Sequence, residues 1–260
     1  MKIATWNING VKARIDNLLH WLRESSPDIV CLQEIKSVDD QFPRLEIEAL
    51  GYHVETHGQK GFNGVAILSK QSPDEVNRGL PGDDGDEQAR FIEAVFSTTR
   101  GALRVVSLYL PNGNPIETEK FPYKLSWMKR LEAWARDRLT LEEPLVLAGD
   151  YNVIPEPQDA RNPQNWVGDA LFQPQSRRAF RRLENLGFID ALRAATDEDG
   201  VYSFWDYQAG AWQKNNGIRI DHLMLSPEAA DRFVATAVEK HVRAWEKPSD
   251  HVPVTVSLNI

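Results

Sequence analysis

The stretch Pro144–Val153, PLVLAGDYNV, constrains this chain more than any other. Leu145, Val146, Leu147 and Ala148 are consecutive apolar residues. Such a run cannot alternate between core and water, so it predicts a buried strand. It ends in Gly149-Asp150-Tyr151-Asn152, which brings a carboxylate and a carboxamide to the mouth of that strand. Asp150 and Asn152 lie two positions apart, so in an extended chain both side chains leave the same face. An Asx-type turn accounts for the same residues, because Gly, Asp and Asn favour turns. What else arrives at that edge decides between the two.

The first 35 residues carry the same pattern. Lys2–Trp6 predicts a strand ending at Asn7. Ile15, Leu18, Leu19 and Leu22 recur at the spacing of an amphipathic helix. Pro27-Asp28 stops that helix, and Ile29–Leu32 predicts a buried strand delivering Gln33 and Glu34. If the two strands are parallel neighbours, the crossover puts Asn7 and Glu34 at one sheet edge. Residues 105–150 repeat this order: strand, polar loop, a helix at about 119–138, Pro144, apolar strand, acid.

Between the repeats, Tyr52–His57, Val65–Ser69, Phe91–Phe96 and Leu103–Leu110 predict strands with short glycine-containing links, hence antiparallel pairing. Past Asn152 the chain becomes polar and proline-rich, carrying Arg161 and Trp166. A helix near 176–186, an aromatic strand at Tyr202–Asp206, a strand at Arg219–Leu225 and a terminal strand after His251 complete the reading. The expectation is an α+β fold, a four-layered α/β sandwich. Two packed, mostly antiparallel sheets flanked by helices would come from two similar halves and form one domain over residues 1–260.

Composition narrows the function. A net charge of −8 argues against an indiscriminate polyanion binder. A local basic face is still open, because Arg177, Arg178, Arg181 and Arg182 share one side of a helix; a solvated helix face explains them equally well. The single cysteine, Cys31, sits in an apolar run, excludes an internal disulfide and reads as a small core residue. MKIATWNING contains no secretory apolar region and no stretch has the length of a membrane span, so a cytoplasmic protein is expected.

Several polar groups sit at strand ends or inside apolar strands: Asn7, Glu34, Tyr109, Asp150, Asn152, Asp221, Asp250 and His251. A carboxylate among core residues, as in Arg219-Ile220-Asp221-His222-Leu223, is costly unless paired. An imidazole at a loop–strand junction is a fitting partner, oriented and raised in pKa by the acid. There is no GxSxG, no phosphate-cradling Walker loop and no HExxH. The remaining donors are hard oxygens, which suit Mg²⁺ or Mn²⁺ held together with substrate phosphate.

These residues carry a family resemblance. The segments TWNINGVKAR, DIVCLQEIK, GFNGVAILS, ARFIEA, SLYLPNG, GDYNV, NNGIRIDHLMLS and EKPSDHVPV resemble, in order, the exonuclease III/abasic-site (AP) endonuclease family of the endonuclease/exonuclease/phosphatase superfamily. The resemblance implies a DNA repair nuclease that incises 5′ to abasic sites in duplex DNA and degrades duplex ends 3′→5′. It implies Glu34 as the principal ligand of Mg²⁺, with Mn²⁺ able to substitute, Asn7 beside it and Asp250 near the same ion. Asp150 would activate water or hold metal, and Asn152 would hold the phosphate or the ion. Tyr109 would donate to a phosphate oxygen or the leaving group, and His251, paired with Asp221, would stabilise the transition state. Phe204, Trp205 and Trp212 resemble the aromatic segment around an abasic sugar, while Arg90, Arg161, Arg177 and Arg181 are the expected phosphate contacts. The implied protein is a monomer acting on double-stranded DNA at the bacterial nucleoid, not on a membrane.

Two other readings use the same residues. A phosphodiesterase or phosphatase for lipid headgroups or inositol phosphates fits RIDHLMLS and SDH. A catalytically silent DNA-binding relative should have lost Glu34, Asp150, Asn152 or His251, and all four are present.

Overall fold

The computed structural model describes residues 1–260 as two six-stranded sheets packed face to face. In chain order the strands are β1 (Lys2–Asn7), β2 (Ile29–Gln33), β3 (His53–His57), β4 (Val65–Ser69), β5 (Glu75–Arg78), β6 (Phe91–Thr98), β7 (Gly101–Tyr109) and β8 (Leu145–Asp150), followed by β9 (Ile189–Asp190), β10 (Asp221–Leu225), β11 (Phe233–Val238) and β12 (Val254–Leu258). The helices are α1 (Ile15–Ser25), α2 (Arg44–Glu48), α3 (Lys120–Leu139), α4 (Pro174–Asn185), α5 (Ala191–Ala195) and α6 (Pro227–Ala230).

One sheet runs β11-β12-β1-β2-β4-β3 and the other β5-β6-β7-β8-β10-β9. Each has a single parallel pair at its centre, β1 with β2 and β7 with β8, and the remaining pairs are antiparallel. Each parallel pair is joined by a crossover helix, α1 in one half and α3 in the other. The repeated order in the sequence is therefore a repeat in space.

Ile3, Cys31, Ile67, Val105, Val146 and Val256 belong to the buried layer between the sheets. A second cluster seats α3 and α4 on the outside of one sheet through Trp127, Leu131, Phe180 and Leu147. A third seats α1 on the other through Trp6, Leu18, Trp21 and Leu32. This explains why β2 and β8 are apolar without alternation: both faces are covered. Burial pushes the Cys31 thiol up, so it stays an unreactive core residue. No helix is long and apolar enough to cross a membrane.

The structure corrects three expectations. Tyr202–Asp206 is not a strand: Phe204 makes isolated bridges to Ile218 and to His251. Its neighbours' amides are shared between two segments, Ser203 donating to Ile218 and Trp205 to Asp250, so no ladder can propagate. Arg219 and Ile220 precede β10 because the Arg219 amide is taken by the Asp159 carbonyl. The strands β5, β9 and β11 were not expected. All three are sheet edges, two of them half-exposed and β9 only two residues long, with no apolar alternation to reveal them.

Candidate active site

The two parallel pairs point the same way and deliver side chains to one shared edge. Asn7 closes β1, Glu34 follows β2, Tyr109 closes β7 and Asp150 closes β8. Asp221 opens β10 directly opposite Asp150 in the antiparallel register. His251 stands three residues before β12. Together with Asn152, Asp250 and Phe204, all but Asn7 and Asp221 line a cavity of about 240 Å³.

Asn7 is fully buried and works across the sheets. Its Nδ2 donates to Glu34 Oε1 at 3.0 Å and to Asp150 Oδ2 at 2.9 Å. Its Oδ1 accepts the Asn9 amide at 3.0 Å, which fixes the orientation of the carboxamide. Asn7 thereby holds an acid from each sheet in place. Glu34 lies in the left-handed region at φ 47°, as does Asn152 at φ 47°. Such backbone is unusual outside glycine and clusters at functional sites. Burial would raise the Glu34 carboxyl, but Asn7 and Lys36 hold it below the ordinary value; Lys36 Nζ lies 3.1 Å from Glu34 Oε2.

Across the cavity, His251 Nδ1 bonds Asp221 Oδ2 at 2.8 Å, and its Nε2 lies 3.8 Å from Asp150 Oδ2. Ser203 Oγ donates to the same Asp221 oxygen at 2.6 Å. Burial would lower the His251 pKa, but Asp221 and Asp150 raise it to about 10. Asp150 is raised by burial and by Asp221, against the opposing charge of His251. Tyr109 is raised well above its ordinary value by burial and by Glu34 and Asp150, so its hydroxyl stays protonated and donates.

Asn152 is set by its neighbours. Its amide donates to Asp150 Oδ1 at 2.9 Å, its Nδ2 to the Leu110 carbonyl at 2.9 Å, and its Oδ1 accepts from Asn112 at 3.1 Å. Asp250 Oδ1 accepts from Asn9 Nδ2 at 3.0 Å. Arg90 lies 4.9 Å over the Tyr109 ring and donates to the Tyr109 carbonyl. Its neighbour pocket, with Lys120, Asn112 and Asn114, adjoins the main cavity.

The donor chemistry suits a hard divalent cation: Glu34, Asp150, Asp206 and Asp250 open on one cavity. Asp150, Asp221 and His251 form a candidate metal group, each with a ligand atom within 4.8 Å of the others. One buried oxygen there, Asp221 Oδ1, has no protein partner.

Other expected residues do not come to the site. Trp205 is fully buried, its Nε1 on Asn215 Oδ1, and Trp212 packs on it with centroids 5.1 Å apart. The wall is Phe204, whose ring meets the His251 ring edge-on at 4.9 Å, with Trp166, Leu171 and Ile220. Arg177 and Arg181 share one carboxylate, Glu156, at 2.9 Å and 2.5 Å, on a loop outside the cavity. Arg161 lies in a separate cleft with Glu156, Asp199 and Tyr202.

Asn9, Lys36, Asn112, Asn114, Asp169 and Lys124 take part without having been singled out. Asn112 and Asn114 had a signal, the PNGNP loop after Tyr109. Lys124 had none, since a helical lysine reads as solvated. It is fully buried, and burial pushes its ammonium down to about 7 against the opposing pull of Asp150 and Asp169.

The sequence model of the endonuclease/exonuclease/phosphatase family matches residues 4–251. An exodeoxyribonuclease III from Haemophilus influenzae is 38% identical, the alignment covering 98% of this chain and 98% of that protein. An AP endonuclease structure from Archaeoglobus fulgidus superposes with a TM-score of 0.94 at 36% identity, covering 100% of both chains. A 3′ phosphatase from Neisseria, solved with a product DNA hairpin, gives a TM-score of 0.96 at 37% identity, also over 100% of both chains.

Proposed function

This chain belongs to the endonuclease/exonuclease/phosphatase family, in its exonuclease III and AP endonuclease branch, and from that premise we propose how its residues hydrolyse a DNA phosphodiester. It is a DNA repair nuclease of the exodeoxyribonuclease III/AP endonuclease type. The proposed reactions are incision 5′ to an abasic site in duplex DNA and removal of nucleotides 3′→5′ from duplex ends.

The observation that carries this reading is the convergence of Glu34, Asp150, Asn152 and His251 on one cavity, with the His251–Asp221 bond at 2.8 Å behind it. Asp150 accepts a proton from the attacking water, which adds to phosphorus as the bond to the 3′ oxygen breaks. The His251 imidazolium, held by Asp221, meets charge that grows on the non-bridging phosphate oxygens. Asn152 orients the phosphate, and the Tyr109 hydroxyl donates to a phosphate oxygen or to the leaving oxygen. Glu34, with Asp150 and Asp250, would hold a magnesium ion, for which manganese could substitute. Bound there, the ion would supply Lewis-acid neutralisation of the phosphate. Phe204, Trp166, Leu171 and Ile220 give the deoxyribose an apolar wall. The proposed acting unit is the monomer.

The test is a duplex carrying one tetrahydrofuran abasic analogue and, separately, a duplex with recessed 3′ ends. Each is incubated with Mg²⁺ or EDTA, using the native protein and His251→Ala. Metal-dependent cleavage lost in the variant is expected. No cleavage of either duplex, with release of phosphate from an inositol phosphate, would overturn the assignment.

A further inference from the structure

Lys124 projects from the second turn of α3 into the protein interior and has no exposed surface. Its Nζ donates to two backbone carbonyls, Asn112 at 3.0 Å and Asn152 at 2.5 Å. Those carbonyls belong to the loops after β7 and β8, the two that carry Tyr109 and Asp150. The same two residues are joined a second time through their side chains, Asn112 Nδ2 donating to Asn152 Oδ1 at 3.1 Å. Helix α3 is itself rigidly seated, with Trp127, Met128 and Leu131 in the outer core.

The sequence makes room for this lysine. Gly113 has φ 92°, and a Cβ there would lie 2.7 Å from Lys124 Cδ and 3.1 Å from the Ala170 Cβ. A side chain at this position would collide with the lysine stem, so the glycine of SLYLPNG serves the passage of Lys124 beneath the loop.

We propose that Lys124 is a positioning residue: its ammonium ties the loops after β7 and β8 together and thereby aims the Asn112–Asn152 carboxamide pair at the scissile phosphate. The inference rests on the nuclease reading of the site. Lys124 cannot touch substrate, because it is sealed below the cavity, and so it acts through Asn152. The arrangement does not depend on its charge, since the neutral amine still has an N–H for each carbonyl. Asn152, in left-handed backbone, has few other anchors: its amide holds Asp150 and its Nδ2 holds the Leu110 carbonyl.

The test is a double-mutant cycle between Lys124 and Asn152 on the abasic duplex. Lys124→Met keeps the length of the stem and removes the donors; Lys124→Gln keeps one amide donor. For Lys124→Met, kcat should fall on the order of 10²-fold, the scale of a small misplacement at a reacting centre. KM for the duplex should stay within about threefold. Asn152→Ala added to Lys124→Met should cost far less than it costs alone. Lys124→Gln should recover part of the loss, and it carries the same cycle if the methionine variant fails to fold. Independent, multiplicative effects, or a folded variant with native kcat, would overturn the proposal. Failure of the native protein to cleave DNA would sink the nuclease reading instead, which keeps the two outcomes apart.

Discussion

Asn7 Nδ2 and Asp150 Oδ2 lie 2.9 Å apart although 143 residues separate them, and this bond crosses from the first sheet to the second. The same Nδ2 also reaches Glu34. Two carboxylates that would repel are thus spaced by one fully buried carboxamide, and the two halves of the fold meet at that group.

Replacing Asn7 tests this directly. Asn7→Ala leaves buried carboxylate oxygens without a donor, at a cost of about 1–3 kcal/mol. Asn7→Asp adds a third acid between Glu34 and Asp150 and should be worse, because adjacent like charges cannot all ionise. Melting temperature and kcat should fall in both variants, more steeply in Asn7→Asp.

His251→Ala removes the imidazolium that Asp221 holds at 2.8 Å. A loss on the order of 10²–10³ in kcat is expected, the scale for one transition-state donor. Steady-state kinetics on the abasic duplex decide it; a loss below about tenfold would deny the assigned role.

Chelation should abolish cleavage, and Mg²⁺ should restore it. Glu34→Gln withdraws the carboxylate that Asn7 and Lys36 keep ionised. A titration of rate against Mg²⁺ should shift to higher concentration by roughly 10–100-fold, the scale for disturbing a metal shell. An unchanged titration would remove Glu34 from the ion.

Acid sensitivity should trace to a buried network away from the cavity. Arg219 bonds Asp190 at 2.5 Å and Asp159 at 2.7 Å. Burial by itself would raise the Asp190 carboxyl, but Arg219 and His222 hold it well below the ordinary range. A carboxyl depressed in the folded state stabilises above its unfolded pKa, about 3.9 for Asp, and that stability drains as pH falls through the folded value. Native melting temperature should therefore drop below about pH 4. Asp190→Asn should lose about 3–5 kcal/mol of stability at neutral pH, melt at a lower temperature and show a flatter acid limb.

Gly149 is needed for a different reason from Gly113. A Cβ on it would lie 2.0 Å from the Leu108 carbonyl oxygen, on the parallel strand beside it. Gly149→Ala should push β8 from β7 at a cost of about 1–3 kcal/mol or more, and displace Asp150 with it. A melting curve and kcat together test this; an unchanged protein would contradict the close approach.

Much of the site was legible because strand burial is a local property. An apolar run ending in an acid identified Asp150 and Glu34, and an acid inside an apolar strand identified Asp221. The phase of the aromatic segment was not legible. Phe204 and Trp205 are neighbours, and only the bridges to Ile218 and His251 turn Phe204 to the cavity and Trp205 inward. The ion pairs of Arg177 and Arg181 were not legible either, because their partner, Glu156, lies on a loop that a helical pattern cannot foresee.

By itself, then, the sequence determined the central strands of both sheets, their repeat in two halves, and which polar groups stand at their ends, since each follows from side-chain period and local burial. The tertiary structure alone decided which atoms meet: Asn7 with two acids, Ser203 with Asp221, and Lys124 beneath Asn152. Hydrogen bonds act over about 3 Å and burial depends on what packs above, so both are settled by segments far apart in the chain.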